Sequence, residues 1–303
     1  MSELLKNRHE ILFLYDVKDA NPNGDPIDEN KPRIDEETGL NVVTDVRLKR
    51  TIRDYLDENK KMEVFVKEVK KEDGNLKTKE DRLDDLNIEN AEDLLKKCID
   101  IRLFGATAAI KNKTITFTGP VQFKFGRSLH RVKVDYFKGT TVMPSKEAKK
   151  QGTFTEVYTL PYALIAFYGI ANENAAKHTL MTDEDYNILM EAIWNGTKNL
   201  ISRSKFGQMP RLLMDIEYKE TNYHIGDLDK LVAIKTEIDD EVIRDVSQFT
   251  VNVLPLMEAL QKHKDKIQFI RIKVDDRLNL APDLSQEQLN RLLEGVQIAT
   301  FSF

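Results

Sequence analysis

The sequence predicts an α+β fold, in which an antiparallel or mixed sheet is backed by helices. Three observations lead to this prediction: an apolar strand near the start, alternating strands in the middle, and helices with an apolar side between strands. The order is strand, helix, strands, helix, strand, helix and strand. It is compatible with a ferredoxin-like core that carries large insertions.

The composition is that of a soluble globular protein. The residues are 41% hydrophobic and 32% charged, and a length of 303 residues is enough for one large domain or two modest ones. The one cysteine, Cys98, rules out a disulfide framework or a cysteine-based zinc site and fits a reducing cytoplasm. The N-terminus has no signal-peptide pattern, and no apolar run is long enough to span a membrane.

The first strand is expected at HEILFLYDV (9–17), which is apolar on both faces and therefore central in its sheet. A long polar loop follows at 18–44 and starts with NPNGDP (21–26). Loops of this length in compact proteins are usually functional or disordered.

The segment TDVRLKRTIRDYLDEN (44–59) predicts a helix capped by Thr44 or Asp45. Its apolar side would consist of Val46, Leu48, Ile52, Tyr55 and Leu56. A second side carries three arginines spaced every three residues: Arg47, Arg50 and Arg53. Such a stripe can bind a phosphate backbone, or it can be a solvated face paired with neighbouring acids.

Residues 60–98 are charge-rich and predict a small inserted subdomain with a turn at 72–75 and a helix at 90–98. The apolar segment IDIRLFG (99–105) ends it. The next segment, 113–125, alternates between apolar and polar residues, which predicts a strand. Its apolar face would carry Ile115, Phe117, Val121, Phe123 and Phe125. A bulge or an edge is expected at Gly119 and Pro120.

Residues 136–169 predict an extended hairpin with a basic tip. Near this tip, Val142 and Met143 are apolar residues that are not expected to pack in a core. The segment 111–151 has a net charge of +8, whereas the whole chain is −5 and the remainder therefore −13. A basic region on an acidic body suits a nucleic-acid groove, but a solvated basic hairpin explains it equally well.

The clearest helix prediction is at 182–202, which Thr182 and Asp185 open with a near capping box. Residues 203–218 then lead into a strand. The remaining predictions are a helix near 255–264, a strand at 267–274 and a last helix at 283–296.

Signatures of common enzyme classes do not occur: the sequence has no Walker loop, GxGxxG, HExxH or GxSxG motif. The usual RNA-recognition signature is also missing, and FKFGRS is only a faint echo of it. One enzymatic alternative uses the carboxylates that follow the first strand: Asp25, Asp28, Glu29 and Asp35. Grouped carboxylates can hold Mg²⁺ for a ribonuclease centred on Asp25 and Asp28, although aspartate is also a common turn residue.

Four motifs in this order resemble the backbone subunit of type I CRISPR Cascade complexes, most closely the subtype I-B form, with the I-C form similar. They are NPNGDP, TDVRLKRTIRDYL, DIRLFG and FTGPVQFKFGRS, and RSKFGQMPRLL also fits. The resemblance implies a single domain over 1–303, a palm with a modified ferredoxin-like, RNA-recognition-motif fold. It also implies a helical finger insertion at about 60–98 and a protruding thumb hairpin at about 137–157.

The resemblance further implies a non-catalytic, cytoplasmic protein without a cofactor or a membrane partner. Its copies would stack into a helical filament on CRISPR RNA, beside other Cascade subunits, and present the guide to a target DNA strand. The thumb of one copy would kink the RNA at the next, and a separate helicase-nuclease would cut the target.

The resemblance assigns RNA contacts to the opening loop, where Asn21, Asn23 and Gly24 would face the RNA and Gly24 would adopt a positive φ. Further RNA contacts are expected from Arg47, Lys49, Arg50, Arg53, Gln122, Lys124, Arg127, Ser128, Arg203 and Lys205. Val142 and Met143 are the candidate wedges between bases. An NPNGDP turn that only orients the long loop is the open alternative.

Overall fold

The computed structural model describes residues 3–110, 113–140 and 154–303 of the chain. Its strands are β1 (His9–Ala20), β2 (Gly24–Asp25), β3 (Lys31–Pro32), β4 (Leu40–Val43), β5 (Gly105–Ile110), β6 (Lys113–Thr118), β7 (Val121–Phe123), β8 (Gly126–Arg131), β9 (Asp135–Thr140), β10 (Phe154–Ala171), β11 (Gln208–Tyr218), β12 (Ala233–Lys235), β13 (Thr250–Asn252), β14 (Ile267–Val274), β15 (Leu280–Ala281) and β16 (Gln297–Thr300). Its α-helices are α1 (Asp45–Glu58), α2 (Lys79–Asp85), α3 (Ala91–Lys97), α4 (Ile99–Phe104), α5 (Glu173–Thr179), α6 (Asp183–Lys198), α7 (Leu254–Lys262) and α8 (Gln286–Leu292).

The main sheet has nine strands in the described part of the chain, with the order β16-β14-β11-β1-β10-β8-β4, and β7 and β9 also pair with β10. Strand β1 is central, as predicted, and runs antiparallel to both β10 and β11. Strands β14 and β16 run parallel, so the sheet is mixed. The predicted α+β class is confirmed.

The two faces of β1 belong to two different cores, because its side chains alternate across the sheet. Ile11 and Phe13 pack in the first core, to which α1 and α6 contribute Ile52 and Ile193. Leu12 and Leu14 pack in the second core with side chains of α7 and α8. A strand that is apolar on both faces therefore has both of them covered.

The insertion predicted at about 60–98 contains α2 and α3, and a third, smaller core that includes Phe65, Leu83 and Leu94. Helix α3 matches the helix predicted at 90–98, and Gly74 adopts a positive φ in the turn predicted at 72–75. Helix α2 was not predicted, and the apolar segment after α3 is itself helical, as α4.

The extended hairpin is formed by β9 and β10, which pair antiparallel from Asp135 and Thr159 to Thr140 and Phe154. Farther along, β10 becomes the neighbour of β1 in the main sheet. One continuous strand of 18 residues thus joins the hairpin to the middle of the molecule. The tip, with the wedge candidates Val142 and Met143, lies outside the described residues.

Two expectations about apolar faces are wrong. The alternating segment 113–125 does not form one strand, because β6 pairs with β5 in a separate sheet while β7 joins the main sheet. The chain changes sheet at Gly119, where an added Cβ would lie 2.0 Å from the backbone of Phe104. Phe125, expected in the core, is 53% exposed, and Val46 in the first turn of α1 is 66% exposed.

The remaining predictions hold in type and differ in extent. The capping box of Thr182 and Asp185 is present, and α6 ends at Lys198 rather than near 202. The loop predicted at 18–44 contains the short strands β2, β3 and β4. The last helix is shorter than predicted because the chain turns into β16, which was missed together with α5. No helix among the described residues is long and apolar enough to cross a membrane.

Candidate nucleic-acid interface

A cleft of about 750 Å³ lies between the NPNGDP loop, the first three turns of α1 and the insertion. Eight basic and two acidic side chains line it: Arg33, Arg47, Arg50, Arg53, Lys67, Lys77, Lys79 and Arg82, with Asp45 and Glu68. Among the described residues, all of these cations except Lys79 lie within ion-pair distance of a carboxylate, such as Asp54 or Asp100, and apart from Glu68 those carboxylates do not line the cleft. The charged side chains that line the cleft are therefore mostly basic, which favours an anionic ligand.

The NPNGDP loop is bonded to the start of α1. Thr44 caps the helix, and its hydroxyl accepts a hydrogen bond from the Arg47 amide. Asn23 Oδ1 accepts from the Thr44 amide at 2.8 Å and from the Thr44 hydroxyl at 2.9 Å. The Asn23 side chain thus fixes the position of the loop relative to Thr44, the residue that caps the helix.

Asn21 is also an internal brace, being only 2% exposed. Its Nδ2 donates to the Asn30 carbonyl at 2.7 Å, and its backbone amide donates to the Ser204 carbonyl at 2.9 Å. The expectation that both asparagine side chains face a ligand is therefore wrong for Asn21. The alternative, in which the turn orients the long loop, describes Asn21, whereas Asn23 also lines the cleft.

Gly24 lies in β2 and does not have the positive φ that was expected. Between β2 and β3 it is Glu29 and Asn30 that are left-handed, with φ of 48° and 58°. Glycine is required at position 24 for a different reason, since a Cβ there would lie 2.0 Å from Asn30 Oδ1 and 2.8 Å from the Asn30 carbonyl oxygen. The close approach is made by the protein's own chain.

The three arginines of α1 have three different environments. Arg53 donates from Nε to the fully buried Asp100 at 2.9 Å, and Asp100 also accepts from the amides of Phe65 and Val66. Arg50 pairs with Asp54 at 2.6 Å and approaches Glu68 at 3.5 Å. Arg53 thus holds the insertion against α1 and also lines the cleft, and its contact with RNA stays a prediction.

Arg47 is the least compensated of the three. Its Nη2 donates to the Thr51 hydroxyl at 3.0 Å, its closest carboxylate is Asp54 at 4.0 Å, and its buried Nε has no acceptor among the described residues. Burial lowers the pKa of Arg47, Asp54 opposes this shift and Arg50 adds to it. A half-buried guanidinium with unused donors is suited to accept an anion.

Lys205 lies next to this arginine, on the turn after α6. Its Nζ donates to the Asn21 carbonyl, and no carboxylate of the described residues lies within ion-pair distance. Burial lowers the pKa of Lys205 to about 8, and the positive charge of Arg47 contributes. Arg203 lies exposed in the same turn. The structure thus brings together Arg47 and Lys205, which are far apart in sequence.

Lys49 and Gln122 also meet, with Lys49 Nζ at 3.2 Å from Gln122 Oε1. Lys49 pairs with Asp45 at 2.9 Å as well. Gln122 donates in turn to the Gly119 carbonyl at 2.9 Å. The contact joins the first turns of α1 to the middle of β7, and neither residue lines the cleft.

Three further residues that were expected to contact RNA do not line the cleft. Ser128 is 2% exposed, and its hydroxyl accepts from the Asn41 amide and donates to the His130 carbonyl, so it is structural and its assignment is wrong. Lys124 pairs with Asp227 and contacts the ring of Tyr168. Arg127 pairs with Asp35 at 3.0 Å.

The carboxylates of the ribonuclease alternative are paired with basic or hydroxyl side chains, and Asp28 and Glu29 share Lys31. Asp25 accepts from Arg33 at 2.7 Å and Asp28 from Lys31 at 2.7 Å. Glu29 accepts from the Tyr158 hydroxyl at 2.9 Å. Among the described residues, no group of three His, Cys, Asp or Glu side chains is arranged to hold a metal ion. The geometry does not favour this alternative.

Sequence reasoning missed part of the cleft. The insertion contributes Lys67, Lys77, Lys79 and Arg82, which looked like ordinary members of a charge-rich segment. Two exposed apolar residues, Val46 and Phe125, fitted the apolar positions of regular elements and were expected in the core. The interrupting Gly119 and Pro120 were the available signal that the alternation need not continue to Phe125.

Comparison with known proteins gives a consistent result. The sequence model of the family described as "CRISPR-associated protein Cas7" matches residues 7–254. A CRISPR-associated protein Cas7 from Haloferax volcanii is 34% identical over 315 aligned positions, which cover 93% of this chain and 91% of that protein.

Solved structures show a similar fold. A chain of a "CRISPR RNA-guided surveillance complex, pre-nicking" has a TM-score of 0.53 at 12% identity, covering 94% of this chain and 99% of that one. A chain of a second "CRISPR RNA-guided surveillance complex" has a TM-score of 0.52 at 11% identity, covering 98% of this chain and 95% of that one. At such low identity the likeness concerns the fold alone.

Proposed function

The chain belongs to the Cas7 family of CRISPR-associated proteins, and from this premise we propose that it is a non-catalytic subunit that binds CRISPR RNA. The observation that carries the proposal is the cleft, in which eight of ten charged lining residues are basic. The α1 residues Arg47 and Arg50, with Lys205 beside them, contact the RNA phosphates. Charge-assisted contacts to phosphate supply affinity without reading sequence.

The proposed role delegates sequence recognition to base pairing. The subunit binds the guide along its backbone and leaves the pairing edges to a target DNA strand. Copies of the chain stack head to tail into a helical filament. A heterologous contact produces such a filament when its rotation does not close into a ring. The other Cascade subunits join this filament in the cytoplasm, in a complex of the subtype I-B form.

The parts of the molecule take the following roles in this proposal. The nine-stranded sheet and its helices form a palm related to the RNA-recognition motif. The insertion at about 60–98 is the finger, and the hairpin of β9 and β10 is the base of a thumb at about 137–157. The thumb inserts between bases at the neighbouring copy, which costs a few kcal/mol per unstacked step.

A gel-shift experiment with the purified full chain and a labelled single-stranded RNA of a few tens of nucleotides tests the proposal. The titration is made with Mg²⁺ and with EDTA, at about 50 and about 200 mM salt. A ladder of shifted species with intact RNA, weaker at the higher salt, is expected. Absence of a shift at low salt contradicts the proposal, and Mg²⁺-dependent cleavage lost in Asp25→Ala replaces it with the ribonuclease.

A further inference from the structure

The cationic cleft contains an apolar patch that phosphate binding does not explain. Val46, Val66 and Phe125 all line the cleft, and their side chains are 66%, 44% and 53% exposed. Single exposed apolar residues are common and carry no meaning. Here three of them come from three separate elements and lie in one cleft, which is how binding surfaces differ from scattered exposure.

The surrounding structure fixes the three residues in place. Strand β4 pairs with β8 through Val43 and Gly126, so the start of α1, with Val46, lies beside the residue before Gly126, which is Phe125. Gly126 is itself tightly placed, because an added Cβ would lie 2.4 Å from the Phe167 ring. Phe125 therefore precedes a tightly packed residue at the start of β8.

Val66 is fixed from the other side of the cleft. Asp100 Oδ2 accepts a hydrogen bond from the Val66 amide at 3.1 Å, and the same carboxylate is held by Arg53 of α1 at 2.9 Å. The insertion thus presents Val66 towards the helix that carries Val46. Preorganised apolar groups of this kind lose little entropy when a ligand binds.

We infer that Val46, Val66 and Phe125 form a base-binding platform for single-stranded RNA, with one base stacked on the Phe125 ring and the valines against its sugar or edge. The inference rests on the proposed function and deepens it. The occupant has to combine apolar, flat surfaces with negative charge, because the patch is surrounded by eight basic side chains. Single-stranded RNA meets both requirements, because unpaired bases supply the flat apolar surfaces and the phosphates between them supply the negative charge.

The platform gives the protein base contacts without sequence preference. Every base has a π-face, so stacking tolerates any guide sequence, in contrast to hydrogen bonds at base edges. The flanking phosphates lie within reach of α1, where Arg47 and Arg50 line the same cleft. The protein therefore binds the strand through two kinds of contact, only one of which depends on salt.

The test uses RNA in which 2-aminopurine replaces one base at a time, because stacking on an aromatic ring quenches its fluorescence. The full chain is compared with Phe125→Leu, which keeps apolar volume without a π-face, and with Phe125→Trp, which keeps the π-face. Leu254→Ala is the matched control, since Leu254 is 49% exposed at the start of α7 and does not line the cleft.

We expect quenching with the wild type, Phe125→Trp and Leu254→Ala. Phe125→Leu loses the quenching and binds about five- to a hundred-fold more weakly, the range for one lost base stack, with an unchanged salt slope. Wild-type quenching and affinity in Phe125→Leu overturn the platform and leave RNA binding intact. No binding by the wild type at low salt overturns the platform and the proposed function together.

Discussion

The charged side chains near the two ends of β1 differ in how completely they are paired. Near its first residue, the buried Asp215 accepts hydrogen bonds from His9 at 3.0 Å, from Tyr186 at 2.6 Å and from Arg271 at 2.7 Å. Beyond its last residue, Arg47 keeps a buried Nε without an acceptor among the described residues, and Lys205 contacts only a carbonyl. A buried charge paired within the chain is costly to leave without its partner, whereas a cation that has no close carboxylate can bind an anionic ligand.

The pKa values of the two sites reflect this difference. Burial alone would raise the pKa of Asp215, but His9 and Arg271 outweigh it and lower the pKa to about 2. Burial lowers the pKa of Lys205 to about 8, and the like charge of Arg47 beside it adds to this shift. The charge of Asp215 is compensated within the chain, whereas the charge of Lys205 has no carboxylate partner among the described residues.

The largest effect is expected from Asp215→Ala, which leaves Arg271 and the other donors buried without their acceptor. The free energy of unfolding should fall by about 3–5 kcal/mol, the range for a broken buried ion pair. Urea unfolding followed by circular dichroism measures it. RNA affinity of the folded fraction should not change, and a loss of affinity at unchanged stability would contradict the division between the two ends.

Acid should act on the same end of β1. Because the folded pKa of Asp215 is about 2 and the unfolded value about 4, its contribution to stability is full above about pH 4. The contribution is lost as the pH falls towards about 2, because protonation then breaks the pair with Arg271. Urea midpoints at falling pH should therefore converge for the wild type and Asp215→Ala.

The next largest effect concerns Asp100, which ties the insertion to α1. Asp100→Ala frees Arg53 and the amides of Phe65 and Val66, so unfolding free energy should fall by about 3 kcal/mol. RNA binding should weaken too, because one wall of the cleft loses its anchor. Glu92→Ala is the control, as its pair with Lys96 on α3 is exposed, does not line the cleft and is worth little. Equal stabilities of the two variants would show that the anchor is unimportant.

A smaller effect is expected from Arg47→Ala, which should lower RNA affinity without lowering stability. RNA affinity should drop about five- to thirty-fold, and the salt slope should decrease by about 1, as for one lost phosphate contact. Stability should stay the same or rise, because an under-compensated charge is removed. The matched control is Arg291→Ala, an exposed arginine paired with Glu287 on α8. Identical RNA titrations of the two variants would remove Arg47 from the interface.

The smallest effect is a pH dependence of RNA binding. Lys205 is protonated below its pKa of about 8 and attracts phosphate, so affinity should fall as the pH rises through about 8. The expected loss between about pH 7 and about pH 9 is two- to five-fold, less than one full phosphate contact. Lys205→Arg stays charged throughout and should show no such loss. A parallel decline in both proteins would point to another group.

Local patterns predicted much of the fold. β1 followed from apolar residues on both faces, and α6 followed from periodicity and the capping box of Thr182 and Asp185. These signals are read within one element. The ends of elements were harder, as with β16, because pairing with β14 decides that the last helix stops at Leu292.

The site was less predictable, because partners distant in sequence decide what each residue does. Arg53 meets Asp100, which is 47 positions away, and Ser128 meets the Asn41 amide, which is 87 positions away. Nothing in the α1 periodicity separates Arg53 from Arg47. Phe125 was misplaced because the alternation of 113–125 is local, whereas the split between two sheets at Gly119 is a tertiary event.

Cross-linking of the full chain to 4-thiouridine RNA, with the modified peptides mapped by mass spectrometry, would show whether single-stranded RNA lies in the cleft between α1, the insertion and Phe125. We predict cross-links in peptides that contain Val46, Val66 or Phe125, and loss of these cross-links at high salt. Cross-links confined to other surfaces, such as α8, with none in the cleft, would contradict the account.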